Sequence, residues 1–288
     1  MDELDFFIYR MKHVRGIGNK GLLKVVAFAL EGDWQSITAS EWLTIAQVKT
    51  NYRHEFLKSF DRSRSEISNL WQTYQRDGFL TILSENYPLY LKEIYNPPVG
   101  LFYRGNLDLL KKPALAMVGS RVATGYGKQI VSNLVPELVE KYVIVSGLAK
   151  GIDTSVHQQT IRHQGQTVGV VGTGLDVVYP QENFRLQQYL ADRHLLLSEY
   201  PQGTAPLPYH FPARNRIIAG LAQGTIIIEA KQKSGSLITA QLALESGREV
   251  FAVPGSVIDG HSIGCLELIQ QGAKCVIKGR DILEELSL

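Results

Sequence analysis

The second part of the chain alternates between short apolar segments and longer segments with helical spacing, and this alternation restricts the fold more than any other feature. Continuous apolar strands separated by helices are typical of a parallel sheet with helices on both faces. The sequence therefore predicts an α/β fold with a doubly wound, mostly parallel sheet. The predicted strands are Ala114–Val118, Val143–Val145, Thr167–Val171, Leu195–Leu197, Thr225–Ile228, Val250–Val253 and Cys275–Ile277. The predicted helices are Tyr126–Glu140, Thr154–His163, Asn183–Asp192, Arg214–Ala222, Leu237–Glu245 and Cys265–Gln271.

Residues 1–76 have a different pattern, which predicts a small all-α domain. Leu4, Phe7, Ile8 and Met11 share one helical face and are followed by the Gly-rich turn 14–20. Helix, Gly-x-Gly turn and helix resemble the helix-hairpin-helix element of SAM-like domains, whose hairpin amides hold a DNA phosphate. If the resemblance holds, Lys20 is placed to help these amides hold the phosphate. The turn could equally be a corner of a helical bundle, because glycine ends helices in many folds. Both readings stay open.

Residues 77–110 connect the two parts and carry two further strand candidates, Phe79–Leu83 and Leu101–Gly105. The aromatic residues of this stretch need burial, so we expect it to pack against the sheet and not to act as a loose linker. The predicted division is a helical domain at 1–76 and a sheet domain at 77–288, with its core at 111–288.

Composition places the chain among ordinary globular proteins and excludes several classes of function. The 288 residues are 44% hydrophobic and 20% charged, with a net charge of +2. The two cysteines form no C-x-x-C pair and the histidines are not spaced as metal ligands, so we expect neither a disulfide framework nor a metal site. No signal peptide and no membrane-crossing apolar run is present. We therefore expect a cytoplasmic protein without a membrane partner.

Small and charged residues follow nearly every predicted strand. In a doubly wound sheet, ligands bind beyond the carboxyl ends of the strands, so these residues should share one pocket. Small residues let a backbone approach a ligand, and serines add hydrogen-bond donors. The strand ends read Gly119–Arg121, Ser146-Gly147, Gly172–Gly174, Ser198-Glu199, Glu229–Lys231 and Pro254-Gly255.

Two common nucleotide motifs fail in this sequence. Gly127-Lys128 is followed by Gln129 and lacks the upstream glycine of a P-loop. The Gly172–Gly174 turn has Val177 where a dinucleotide fingerprint needs Gly or Ala. We therefore expect no NAD and no other cofactor.

Basic residues cluster around the stretch Phe211–Gly220 and the turn Lys231–Ser236 that follows the next strand. A helix start, a strand end and a Ser/Gly-rich loop beside lysines make an anion site, so the ligand should carry phosphate. Tyr179, Tyr209 and Phe211 could stack on unpaired bases. The basic residues at or just beyond the strand ends are Arg121, Lys150, Arg214, Arg216, Lys231 and Lys233.

Four acidic residues at the strand ends permit a catalytic reading beside a structural one. Asp153, Asp176, Glu199 and Glu229 could act as acids or bases. Alternatively, Asp153 caps a helix and the glutamates pair with Arg121, Arg214 or Arg216. We expect the structural roles.

Six motifs in fixed order resemble the DprA/Smf family of DNA-processing proteins, over the stretch from about residue 80 to the end. They are Gly119–Arg121, Ser146–Asp153, Gly172–Asp176 with Tyr179, Pro180 and Asn183, Phe211–Gly220, Lys233–Ala240 and Gly247–Gly255. The resemblance implies an extended Rossmann-like domain that binds single-stranded DNA and a homodimer formed through the later part of that domain. It further implies a non-enzymatic recombination mediator that protects incoming strands in natural transformation and loads the RecA recombinase on them.

Carried over onto matching positions, Ser120 and Arg121 would meet a phosphate, and Arg214, Arg216 and Lys233 would add positive charge. The nucleotide path would be lined by Gly174, Leu175, Asp176 and Asn183. Gln181 follows Tyr179-Pro180 at a position where several members of the family carry a basic residue. Many members also have a winged-helix-like C-terminal domain, which this sequence does not show. We therefore do not assume the contacts with duplex DNA that are attributed to that domain. The predicted DNA-binding residues are Ser120, Arg121, Lys150, Gly174, Leu175, Asp176, Asn183, Arg214, Asn215, Arg216, Lys231, Lys233, Ser234 and Ser236.

Two other functions remain as alternatives. The first is a nucleotide-processing hydrolase that uses Glu199 or Glu229 on a small phosphorylated ligand, because similar folds host such chemistry. The second is a dimeric scaffold for proteins, with DNA incidental.

Overall fold

The computed structural model describes residues 3–287, and within that range the chain forms one nine-stranded sheet. The strand order is β1-β2-β6-β5-β4-β3-β7-β8-β9. All neighbours from β6 to β9 pair in parallel, whereas β1 pairs with β2 and β2 with β6 in antiparallel fashion. The strands are β1 Gly78–Thr81, β2 Gly100–Gly105, β3 Ala114–Gly119, β4 Val143–Ser146, β5 Thr167–Val171, β6 Leu195–Ser198, β7 Gly224–Ile228, β8 Glu249–Ala252 and β9 Lys274–Cys275.

Helices cover both faces of the parallel part of this sheet. On one face, Leu115 and Met117 of β3 pack in a core with residues of α7, whereas Ala116 and Val118 join a core with residues of α10 on the other face. Both faces of the strand are therefore buried, which explains why the strands read as unbroken apolar runs. The helices of this part are α6 Leu89–Lys92, α7 Gly125–Leu138, α8 Ile152–Arg162, α9 Phe184–Arg193, α10 His210–Leu221, α11 Gly235–Glu245, α12 Ile263–Gln270 and α13 Gly279–Glu285.

The predicted α/β class, the doubly wound arrangement and the identity of the central strands and helices are confirmed, with ends displaced by a few residues. The last strand is shorter than expected and lies at Lys274–Cys275. Helix α13 was not predicted. Asp281 stabilises its start by accepting hydrogen bonds from the amides of Ile277 (2.9 Å) and Lys278 (3.0 Å).

Within residues 3–287, five α-helices precede the sheet, as expected for an all-α segment. The apolar face of the first helix is buried with Trp42, Phe56 and Phe60. The predicted hairpin follows, and its Gly16 has a φ of +78°, where a Cβ would lie 2.8 Å from the carbonyl oxygen of Tyr52. The helices are α1 Glu3–Lys12, α2 Asn19–Glu31, α3 Ala39–Ile45, α4 Arg53–Ser65 and α5 Ile67–Tyr74. No helix among residues 3–287 is long and apolar enough to span a bilayer.

The helical layer packs directly on the antiparallel edge of the sheet. The Tyr9 ring of α1 contacts Phe79 of β1 at 5.1 Å and Phe102 of β2 at 5.7 Å, measured between ring centroids. The Tyr9 hydroxyl donates a 2.8 Å hydrogen bond to Asp77. One apolar cluster runs from Leu4 into the sheet core. The domain boundary at residue 76 stays a prediction.

A buried ionic cluster also joins the two layers, and we call its three members the junction trio: Lys12, Glu199 and Arg216. Arg216 Nη2 of α10 donates to Glu199 Oε1 after β6 at 2.8 Å, and Lys12 Nζ of α1 lies 3.8 Å from the same oxygen. Burial alone would raise the pKa of Glu199, but the two cations and the hydrogen bond hold that pKa below its usual range.

We expect the junction trio to make stability fall in acid. Because the folded state lowers the pKa of Glu199, its contribution is present above the unfolded value of about 4.3 and is lost as pH falls through the folded pKa. Glu199→Gln removes this dependence and leaves two buried cations without a carboxylate, at a cost of about 3–5 kcal/mol at pH 7. Urea unfolding at pH 7 and at about pH 3 measures both effects.

The matched control is Glu66→Gln, which breaks an exposed pair with Arg62 on α4. Exposed pairs of this kind contribute about 0.5 kcal/mol or less. An equal loss in the two variants, or an unchanged acid limb in Glu199→Gln, would contradict the assignment.

Candidate nucleic-acid interface

The order of the strands opens a groove beside the centre of the sheet. The chain adds strands on one side from β3 to β6 and then crosses to place β7 on the other side of β3. The connection that follows β3 and the connection that follows β7 run in opposite directions. A crevice therefore forms at the carboxyl ends of these two strands. A cavity of about 390 Å³ occupies this position, and we call it the switch-point groove. Seven predicted site residues line it: Ser120, Arg121, Arg214, Asn215, Lys231, Ser234 and Ser236.

The loop after β3 is held tightly at the rim of this groove. The Ser120 amide donates to Ile228 O of β7 at 3.3 Å, and the Ser120 carbonyl accepts from the Ile152 amide at 3.0 Å. Gly151 has a φ of +80°, and a Cβ there would overlap Ser120 O and lie 2.7 Å from the carbonyl carbon of Arg121. Glycine at 151 therefore lets α8 approach the loop that presents Ser120 and Arg121.

Arg121 projects from that loop over an aromatic floor. Its guanidinium carbon lies 5.6 Å from the centre of the Phe211 ring, and Tyr179 contacts the same ring at 5.3 Å. Arg121, Lys231 and Lys233 are exposed, and none of them forms an ion pair with any of residues 3–287. Cations without acidic partners beside exposed aromatic surface suit a phosphate-bearing ligand with planar bases.

Arg214 of α10 lies beneath the groove and is only 4% exposed. Its Nη1 donates to Val170 O at 3.0 Å, while its Nε has no hydrogen-bond partner among the described residues. Burial lowers the pKa of Arg214 to about 10, opposed by the nearby Asp153 and assisted by Arg121. The pKa of Asp153 is raised by burial, against the effects of Arg214 and of three backbone amides.

A glycine leaves room for these two buried groups. A Cβ on Gly147 would overlap Arg214 Nη1 and lie 2.6 Å from Asp153 Oδ2. The Ser146-Gly147 strand end thus lets a guanidinium and a carboxylate lie near each other under the groove. The sequence did not predict this proximity, although Gly147 was a visible signal that some group approaches the backbone there.

Helix α11 begins at the opposite wall of the groove. Ser234 stands at its N-cap without a side-chain capping bond, and its hydroxyl instead lies 2.8 Å from that of Ser236. Asn215 Nδ2 donates to Gly235 O at 3.2 Å and so joins this wall to α10. Free amides at the start of an eleven-residue helix, next to Lys231, favour an anion.

Several predicted site residues lie outside the groove. Arg216 belongs to the junction trio. It lies two positions after Arg214 on the same helix, so the two side chains face different sides of α10. Lys150 pairs with Glu182, and the buried Asn183 amide donates to Leu148 O at 2.8 Å. Lys233 follows the groove-lining Lys231 in the same turn but does not itself line the groove.

Leu175 and Asp176 line a second cleft of about 810 Å³ between β2 and α9. Asp176 accepts from the Gly203 amide at 2.9 Å, and Gly174 lies so close to Pro201 that a Cβ would be 2.6 Å from its carbonyl oxygen. The expected single path through Gly174, Leu175 and Asp176 is thus separated in space from the switch-point groove.

The acidic residues have mostly structural contacts. Glu199 pairs with Arg216, as the structural reading expects. Glu229 pairs with no arginine among residues 3–287. It accepts hydrogen bonds from the amide (2.9 Å) and the hydroxyl of Thr124 at the start of α7. Asp153 is not the N-cap of α8, because Gly151 occupies that position.

Comparison with known proteins assigns the chain to a family. The family model of DNA recombination-mediator protein A matches residues 78–287. DNA processing protein DprA of Streptococcus pneumoniae is 46% identical over 281 residues, 98% of each chain. DprA of Bacillus subtilis is 51% identical over 225 residues, 77% of this chain and 76% of that one.

Two solved structures share the fold. The X-ray structure of Streptococcus pneumoniae DprA has a TM-score of 0.90 at 46% identity, covering 99% of both chains. A structure of Helicobacter pylori DNA processing protein A, described for its single-stranded DNA binding mode, has a TM-score of 0.65 at 32% identity and covers 72% of this chain and 95% of that one. The chain therefore belongs to the DNA recombination-mediator protein A family, the DprA/Smf family that its strand-end motifs resemble.

Proposed function

We propose that this protein binds single-stranded DNA in the switch-point groove and serves as a recombination mediator. One observation carries the proposal: Arg121 and Lys231 meet at the groove with no acidic partner among residues 3–287, above the buried Arg214. The relative from Helicobacter pylori, whose structure is described for single-stranded DNA binding, supports the choice of ligand.

The groove suits a single strand without base preference. Arg121 and the free amides of α11 can contact phosphates, while Phe211 and Tyr179 offer ring faces at the same place. Ring faces accept every base, and stacking contributes about 1–3 kcal/mol per base. The Ser120 hydroxyl donates to Val122 O at 3.0 Å. The Ser234 and Ser236 hydroxyls are hydrogen-bonded to each other, so one of these two can donate a further hydrogen bond to a phosphate oxygen.

In this proposal the protein acts without catalysis, as a cytoplasmic homodimer that protects incoming strands during natural transformation and loads RecA on them. Family membership supports the role of mediator. Nothing in the geometry favours the hydrolase alternative, because Glu199 and Glu229 both pair with protein groups. Turnover of a free nucleotide that is abolished by Glu229→Gln would restore that alternative.

We expect Arg121→Ala to weaken binding to all single-stranded sequences alike. Loss of one charge-assisted contact of about 1.5–3 kcal/mol corresponds to a fall of about 10- to 150-fold in affinity. The slope of log K against log salt should shrink by about 0.7, the value for one phosphate of a single strand. Fluorescence anisotropy with oligo-dT and a mixed sequence, and with the matching duplex, measures both quantities.

Arg280→Ala serves as the matched control, since Arg280 is an exposed arginine of α13 whose backbone contacts Glu137 near the far end of α7. Its affinity and slope should equal those of the wild type. An Arg121→Ala protein with unchanged affinity and slope would refute the groove as the binding site.

We also expect Gly151→Ala to lower affinity without removing a charge. The new Cβ must displace the backbone of Ser120 and Arg121, and strain of about 1–3 kcal/mol at this positive φ corresponds to about 5- to 150-fold. Gly247→Ala is the control, because Gly247 also has a positive φ, of +66°, but has open space around it. Equal affinities in the two variants would show that the β3 loop does not position a ligand.

A third expectation concerns RecA. The wild type should shorten the lag before labelled RecA covers a single strand, and Arg121→Ala should lose this effect in proportion to its lost affinity. Acceleration by Arg121→Ala at concentrations where it no longer binds DNA would favour the protein scaffold instead.

A further inference from the structure

A second polar cavity, of about 430 Å³, lies between the N-terminal hairpin and the start of α10, and we call it the junction cavity. It shares no lining residue with the switch-point groove. Both layers of the protein contribute to it. Its lining includes Lys12, Gly18, Asn19, Tyr209, His210 and Arg216.

The charges at this cavity do not balance. Glu199 Oε1 accepts from Arg216 at 2.8 Å, and the same oxygen is the nearest carboxylate atom to Lys12 Nζ, at 3.8 Å. That separation exceeds hydrogen-bond length, and the ammonium makes no hydrogen bond to any of residues 3–287. Only 7% of the Lys12 side chain is exposed. Two buried cations with one carboxylate leave a net positive charge, and such a charge is costly unless an anion pairs with it.

The hairpin adds unsatisfied backbone donors at the same place. Helix α2 has thirteen residues, starts at Asn19, and has Gly18 as an N-cap without a side-chain bond. No acidic residue stands in its first turn. The Asn19 side chain is engaged elsewhere, since its oxygen accepts from the Val99 amide at 3.1 Å and its nitrogen donates to Pro97 O at 2.8 Å. The first amides of α2 thus remain available to an anion at the cavity.

We propose that the junction cavity binds one phosphate group through Lys12 and the amides at the start of α2. In the DNA-bound protein this group is a phosphodiester of the strand that occupies the switch-point groove, a step that rests on the proposed function. The two sites flank the first turn of α10, where Phe211 lines the groove and Tyr209 lines the cavity. Tyr209 is 67% exposed, so a strand can pass across it from one site to the other.

The test uses the full chain and the variants Lys12→Met and Lys24→Met. Methionine keeps the aliphatic bulk of Lys12 and leaves a neutral Glu199–Arg216 pair. Lys24 is an exposed lysine further along α2, whose ammonium donates to Gln47 Oε1, so its variant is the matched control. Lys12→Arg keeps the charge and separates loss of charge from damage to packing.

In the first arm, thermal unfolding is followed in inorganic phosphate and in chloride at equal ionic strength, in the Arg121→Ala background so that the groove contributes less. Phosphate at several times its dissociation constant should raise Tm by about 2 °C or more in this background and with Lys24→Met added. With Lys12→Met added, the rise should vanish. Equal rises with and without Lys12→Met would overturn the phosphate site.

In the second arm, oligo-dT binding is titrated with salt. Lys12→Met should reduce the slope by about 0.7, whereas Lys24→Met and Lys12→Arg should keep the wild-type slope. An unchanged slope in Lys12→Met, together with a positive first arm, would identify free phosphate or a nucleotide as the occupant and overturn the assignment to the strand. Absence of any oligonucleotide binding by the wild type would refute the proposed function, and the first arm would still decide whether the cavity takes phosphate.

Discussion

The position of β7 beside β3 is the constraint on which the rest of this protein depends. Because the chain leaves β3 towards β4 and returns on the other side, two loops diverge there and leave space between them. A guanidinium can then lie below that space, balanced by Asp153 and fitted against Gly147. Exposed cations above and a buried cation below give the groove a positive potential that solvent screens only in part.

Most of the fold was accessible from the sequence because its signals are local. Segments such as Thr167–Val171 are apolar on both faces, which only a strand covered on both sides requires. The strand-end residues Ser120 and Arg121 could be placed at the groove for the same reason, since parallel strands bring their carboxyl ends to one edge. Helix α13 was missed because its start depends on Asp281, a single capping residue in a polar stretch.

The placements that the sequence could not predict come from contacts between distant parts of the chain. Arg214 and Arg216 look equivalent in sequence, yet the helix turns one towards the groove and the other towards Glu199. In the sequence, six of the nine strands lie between Lys12, which completes the trio, and Glu199, and no spacing rule links the two residues. Glu229 likewise pairs with Thr124 of a different crossover. Residue type predicts that a buried charge needs a partner, but tertiary packing determines which residue that partner is.

The aromatic contact of Tyr9 with Phe79 and Phe102 has a practical consequence for anyone who shortens the chain. A fragment beginning near residue 77 would present β1 as a bare outer strand with its ring-bearing side turned to water. Unpaired amides and carbonyls next to apolar surface recruit strands from other molecules. Such a fragment should associate with itself through this edge, so its oligomeric state would say little about how intact molecules assemble.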